Sequence, residues 1–172
     1  MQTFSSTDGF KPADLAQSAR DHFNAVMILF EKRDAFVFDS AGYLAHIAIE
    51  LVLKALLLDL RGSFPAEHDL AKLTRLVAQD LPGFGFTPEG ERILASANAF
   101  GELRYPSPAR RVEIGTEDLE EIIHLFQRLW DGLPESLYPT RDSNDVRKGG
   151  RVLMRKRVGD SATAQNPPAS DR

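Results

Sequence analysis

The sequence predicts an all-α protein, a bundle of about five helices followed by a basic tail. Two observations carry that expectation. Five segments place apolar residues at spacings of three and four, and no segment shows sustained alternation or a turn-flanked hairpin pattern. The length of 172 residues and the balance of 42% hydrophobic to 27% charged residues fit one globular domain with a packed core. Cysteine is absent, which excludes disulfides, thiolate metal sites and cysteine nucleophiles, so burial has to hold the fold.

The first helix is expected over 12–32. Pro12 suits a first turn, and Leu15, Ala19, Phe23, Val26 and Phe30 share a face. A second helix, capped by Asp39 or Ser40 and running to about Leu60, is apolar almost all round and should be the central one. His46, Glu50 and Lys54 interrupt it. A lysine at mid-span costs about 2.5 to 3.5 kcal/mol on insertion scales, which favours a buried soluble helix over a membrane span. The three polar residues form one stripe, and it has two readings: a narrow solvent-facing edge, or a polar line aimed at a pocket or partner helix.

Gly62 and Pro65 break the pattern, after which His68 or Asp69 can cap a third helix carrying Leu70, Leu73, Leu76 and Val77. Thr87-Pro88-Glu89 opens a fourth helix expected to end near Tyr105, because Pro106 disfavours helical geometry at the residue before it. Thr116 caps a fifth, whose face holds Leu119, Ile122, Ile123, Phe126, Leu129, Trp130 and Leu133. The domain is thus expected over 1–140. The tail over 141–172, where Gly, Ser, Asn, Pro and charge dominate, should be mobile.

Charge divides the same way. Residues 1–140 hold 13 basic against 21 acidic residues, while 141–172 hold 8 basic against 4 acidic. A basic tail can serve a nucleic-acid arm, but few aromatics interleave here to stack bases, and a solvated tail is the preferred reading. The N-terminus lacks the basic head and apolar run of a signal peptide, so a cytoplasmic protein is expected.

Motifs of familiar chemistry do not appear. Gly83-x-Gly85 lacks the third glycine and the preceding strand of a phosphate loop, no GxSxG elbow occurs, and the four histidines lack HExxH spacing. Neither metal nor cofactor is expected. The unusual segment is Gly101-Glu102-Leu103-Arg104-Tyr105-Pro106, where an acid, a guanidinium and a phenol gather at a helix end. Arg104 suits phosphate or carboxylate, with Tyr105 adding stacking or a hydroxyl donor. Alternatively, Arg104 pairs with Glu102 or Glu50 and ties the fourth helix to the second. The sharpest expectation is that Glu50, Lys54 and Arg104 share one polar site.

Three features together resemble the HEPN family: the helix Ala45 to Leu58 (AHIAIELVLKALLL) with Glu50 and Lys54, the helix start His68-Asp69-Leu70, and Glu102-Leu103-Arg104-Tyr105-Pro106. The resemblance spans about residues 12 to 133. It implies an antiparallel, often dimeric helical bundle, and for many members an RNA-cutting role in defence or toxin-antitoxin systems. Catalytic members carry Arg, four to six residues, then His near the Arg104 position, and no histidine follows Arg104 here. Arg61 and His68 have that spacing but lie between the second and third helices.

With no histidine at that spacing, the expectation is a non-catalytic binding module and not an enzyme: a homodimer that binds a protein partner, a nucleotide or RNA phosphate through Arg104, Tyr105, Glu50, Lys54 and Glu102. The alternatives are a divergent metal-independent ribonuclease toxin and an accessory subunit of a nucleotidyltransferase.

Overall fold

The computed structural model describes residues 2–32, 34–102 and 115–138. Arg104, Tyr105 and the expected mobile tail over 141–172 lie outside the described residues. Five helices form the body: α1 (Pro12–Glu31), α2 (Ala35–Arg61), α3 (Leu70–Asp80), α4 (Pro88–Gly101) and α5 (Thr116–Asp131). They build the antiparallel helical bundle that the sequence implies, with Met1–Pro139 as one compact unit.

The centre of the bundle is α2, which contacts each of the other four helices. By length and composition alone its Val37–Arg61 stretch could cross a membrane, yet 78% of its most apolar window is buried within the protein. That burial accounts for its nearly continuous hydrophobicity. Ala45, Ile49, Val52, Leu53 and Leu57 are fully buried along it. Around them pack Ala19, Phe23 and Val26 from α1, Leu73 and Val77 from α3, Leu94 and Ala97 from α4, and Ile122 and Phe126 from α5. Phe23 and Phe126 stack at 4.1 Å between ring centroids, joining the first and last helices.

Local chemistry explains most boundaries. Pro12 and Pro88 sit in the first turns of α1 and α4, where a missing N–H costs nothing. The Thr87 hydroxyl accepts from the Gly90 N–H, and the Asp69 carboxylate accepts from the Ala71 and Lys72 N–H groups. Gly62, at φ +72°, takes the left-handed conformation that ends α2 and donates to the Leu58 carbonyl.

Four expectations need correction. The second helix starts at Ala35, so Asp39 and Ser40 lie inside it and do not cap it. Phe38 packs 6.0 Å from Phe100, a tertiary contact that rewards the extra turn. α4 ends at Gly101, short of Tyr105, where the Glu102 N–H tightens the last turn onto the Ala99 and Phe100 carbonyls. Thr116 is the first residue of α5 rather than its cap. Gly115 is the cap, and its N–H donates to Asp118 at 2.8 Å. Finally, β1 (Thr3–Ser5) and β2 (Ser63–Pro65) form a small antiparallel ribbon that no local pattern announces. Phe4, Phe10 and Phe64 cluster on it with centroids 5.3 to 5.5 Å apart.

Candidate functional site

His46, Glu50 and Lys54 recur at intervals of four on α2, and only 3%, 6% and 6% of each is exposed. The solvent-edge reading of the stripe is therefore wrong. It faces inward, toward the start of α3 and the end of α4, and Glu50 is its hub. Lys54 donates from Nζ to Glu50 Oε1 at 2.6 Å. The imidazole of His68, just ahead of α3, places Nδ1 at 3.0 and 3.1 Å from the two Glu50 oxygens. His46 Nε2 lies 3.4 Å from Glu50 Oε2, while its Nδ1 donates to the Ala97 carbonyl of α4 at 3.1 Å.

Burial on its own pushes the Glu50 carboxyl up, because a buried charge loses its hydration. Hydrogen bonds from His46, Lys54 and His68, with the Lys54 charge, outweigh that effect and lower it from 4.5 to about 2. Glu50 is thus a fixed anion at neutral pH. Lys54 is covered on another side by Phe64, whose ring centroid is 5.7 Å from Nζ, so the small ribbon helps to desolvate this pair.

The start of α3 is tied to α4 as well as to α2. Asn98 donates from Nδ2 to Asp69 at 3.1 Å and accepts from the Leu70 N–H at 2.9 Å. Burial raises the Asp69 carboxyl, but Asn98, the N–H groups of Lys72 and Ala71 and the Lys72 charge together hold it below its ordinary value. At the far end of α4, a Cβ on Gly101 would lie 2.6 Å from His46 Cε1. The His46 ring therefore rests against the backbone where the Gly101-Glu102 segment begins.

Of the residues expected at the site, Glu50 and Lys54 meet directly. Glu102 is exposed at the end of α4, next to Gly101. Arg104 and Tyr105 are outside the described residues, so the expected sharing of a site by Glu50, Lys54 and Arg104 joins only its first two members here. His46, His68 and Asn98 were missed as members of the cluster. The signals existed: His46 stands one turn before Glu50, His68 opens a quoted motif, and Asn98 follows the buried Leu94 by four residues on the same face of α4.

Arg61 and His68 do not converge. Arg61 pairs with Asp80 and donates to the Leu76 carbonyl near the end of α3, whereas His68 precedes its start, about 15 Å away along an 11-residue helix. Lys54 occupies one face of the Glu50 carboxylate, and among the described residues no group of three or more His, Asp or Glu is arranged to hold a metal ion. A separate open cleft of about 550 Å³, lined by Leu56, Phe84, Phe86, Arg128 and Leu133 among others, shares no residue with the cluster.

The cluster draws together the α2 stripe, the His68-Asp69-Leu70 start and the last turns of α4, and so joins two of the three motifs of the sequence; of the third, only Glu102 is among the described residues. Comparison with curated proteins and with solved structures finds no match. The HEPN domain family model matches residues 13–136, most of the chain and all five helices, and the chain therefore belongs to the HEPN family.

Proposed function

We propose that this protein is a non-catalytic HEPN binding module that takes a phosphate-bearing ribonucleotide ligand, as RNA or as free nucleotide, and works as a homodimer. The observation that supports this reading is the meeting of the α2 stripe, the His68-Asp69-Leu70 start and the last turns of α4 around one buried Glu50–Lys54 pair. Glu50, held at about 2, does not exchange protons near neutral pH, so it suits a scaffold better than general acid-base work. Its partners brace the start of α3 and the end of α4 against α2. Arg104, two residues beyond Glu102 in the sequence, supplies a guanidinium suited to bidentate phosphate contact, and Tyr105 supplies a stacking surface.

The test is binding of a labelled single-stranded RNA, followed by anisotropy, with an Arg104→Ala variant and a parallel cleavage assay. The expected result is an unchanged melting temperature, RNA affinity lowered about tenfold or more, and intact RNA throughout. Specific cutting of RNA by the purified protein overturns the non-catalytic reading. Unchanged affinity in Arg104→Ala removes that residue from the site.

A further inference from the structure

At the end of the α3–α4 pair remote from His68, the open cleft of about 550 Å³ lies among the end of α3, the loop that leads to α4 and the end of α5. Its size is within the range of about 300–1,000 Å³ common to small-molecule sites. Leu56, Leu129 and Leu133, all buried in the core, line it from within, and the half-buried Phe84 and Phe86 add two rings with centroids 6.0 Å apart. The interior is apolar.

The loop that carries the two rings is held in place by its own contacts. Gly83, at φ +86°, turns the chain after α3, and the Phe84 N–H donates to the Leu81 carbonyl at 3.0 Å. Phe86 sits against the first turn of α4, where a Cβ on Gly90 would lie 2.9 Å from the Phe86 Cβ. Only glycine at position 90 allows that approach. A cleft braced in this way gives up little conformational freedom when it is filled, which favours binding.

Charge beside the cleft is unevenly matched. Glu89 pairs with Arg92 at 2.7 Å, and Arg92 also reaches Glu121 at 2.6 Å. Arg128 lines the cleft from the last turn of α5, and its guanidinium has no ion-pair or hydrogen-bond partner among the described residues. One cation is left over beside an apolar cavity. Its complement is an apolar body that bears one negative group. A planar carboxylate matches the guanidinium fork, and flat aromatic carbon matches Phe84 and Phe86. A nucleotide fits poorly, because its sugar and base would set polar groups against leucine without hydrogen-bond partners, and the carboxylates of Glu89 and Glu121 oppose a second negative charge.

We propose that this cleft is a second binding site, separate from the Glu50 cluster, which takes a small aromatic carboxylate with its ring against Phe84 and Phe86 and its charge on Arg128. The ribonucleotide reading does not bear on it, and either can fail without the other.

The test is calorimetric titration of the full chain with 2-naphthoate and with its uncharged analogue 2-naphthamide, repeated on Arg128→Gln and Phe84→Ala. The parent should bind the acid about tenfold more tightly than the amide, as a charge-assisted hydrogen bond supplies. Arg128 is exposed, so Arg128→Gln should leave the melting temperature unchanged and remove that preference by weakening 2-naphthoate alone. Phe84→Ala should weaken both ligands about threefold or more. Equal binding of acid and amide to the parent overturns the inference, as does a preference that survives Arg128→Gln, and so does binding of neither ligand at millimolar concentration. Affinities unchanged in Phe84→Ala place the ligand elsewhere and overturn it too. Displacement of 2-naphthoate by AMP overturns the separateness of the site, because the cleft is then where the nucleotide binds.

Discussion

Replacing Glu50 with Gln removes the charge on which Lys54, His46 and His68 converge while keeping the shape of the side chain. Lys54 is 6% exposed and loses its counter-charge, and breaking a buried pair by removing one partner costs about 3 to 5 kcal/mol. The amide can still accept from Lys54, which places the expected loss near the lower end. Titration gives a second route to the same magnitude. A carboxyl at about 2 in the fold and 4.5 in its absence contributes roughly 3 kcal/mol of stability at neutral pH. Because the folded value is the lower one, that contribution is complete above about 4.5 and is lost as the pH falls toward 2. Urea denaturation followed by circular dichroism at pH 7 and pH 3 reads both effects. Glu50→Gln should be about 3 kcal/mol less stable than the parent at pH 7, and the gap should more than halve at pH 3. The double variant Glu50→Gln with Lys54→Met should recover much of the loss, since it leaves no unpaired buried charge. A gap below about 1 kcal/mol at pH 7, or one that is constant between pH 7 and 3, refutes the account of Glu50 as a buried hub.

Gly42→Ala should destabilise the bundle by about 1 to 3 kcal/mol or more, because a Cβ there would lie 2.1 Å from the Phe100 ring; thermal melting checks it, and a neutral result means that α2 and α4 do not pack this closely. Asp69→Ala removes both the cap of α3 and the Asn98 contact and should cost about 1 to 2 kcal/mol, read as a lowered urea midpoint with an unchanged slope. Light scattering at micromolar concentration should report a dimer, and a monomer at every accessible concentration removes the homodimer from the proposed function.

Much of the fold was legible because its signals are local. The face of α5, the first turns of α1 and α4, and the cap of α3 each depend on residues within one or two turns, and they appear where the sequence places them. The α2 stripe was visible as a pattern, but its direction was not. His46, Glu50 and Lys54 at intervals of four read the same whether they face water or a neighbouring helix, and burial depends on what packs against that face. The start of α2 was misplaced for a related reason, since the contact between Phe38 and Phe100 joins residues that are far apart in the chain.

By itself, then, the sequence determined that the chain forms helices, which of them is central, and which residue types interrupt it. Those properties follow from backbone geometry and from side chains one turn apart. Tertiary structure alone decided that Thr3–Ser5 pairs with Ser63–Pro65, that Arg61 turns to Asp80, and that His68 reaches back to Glu50 across 18 residues. These contacts depend on how whole helices are set beside one another. Side-chain spacing records periodicity along one helix, while the meeting of α2, α3 and α4 around a single carboxylate depends on the packing of three.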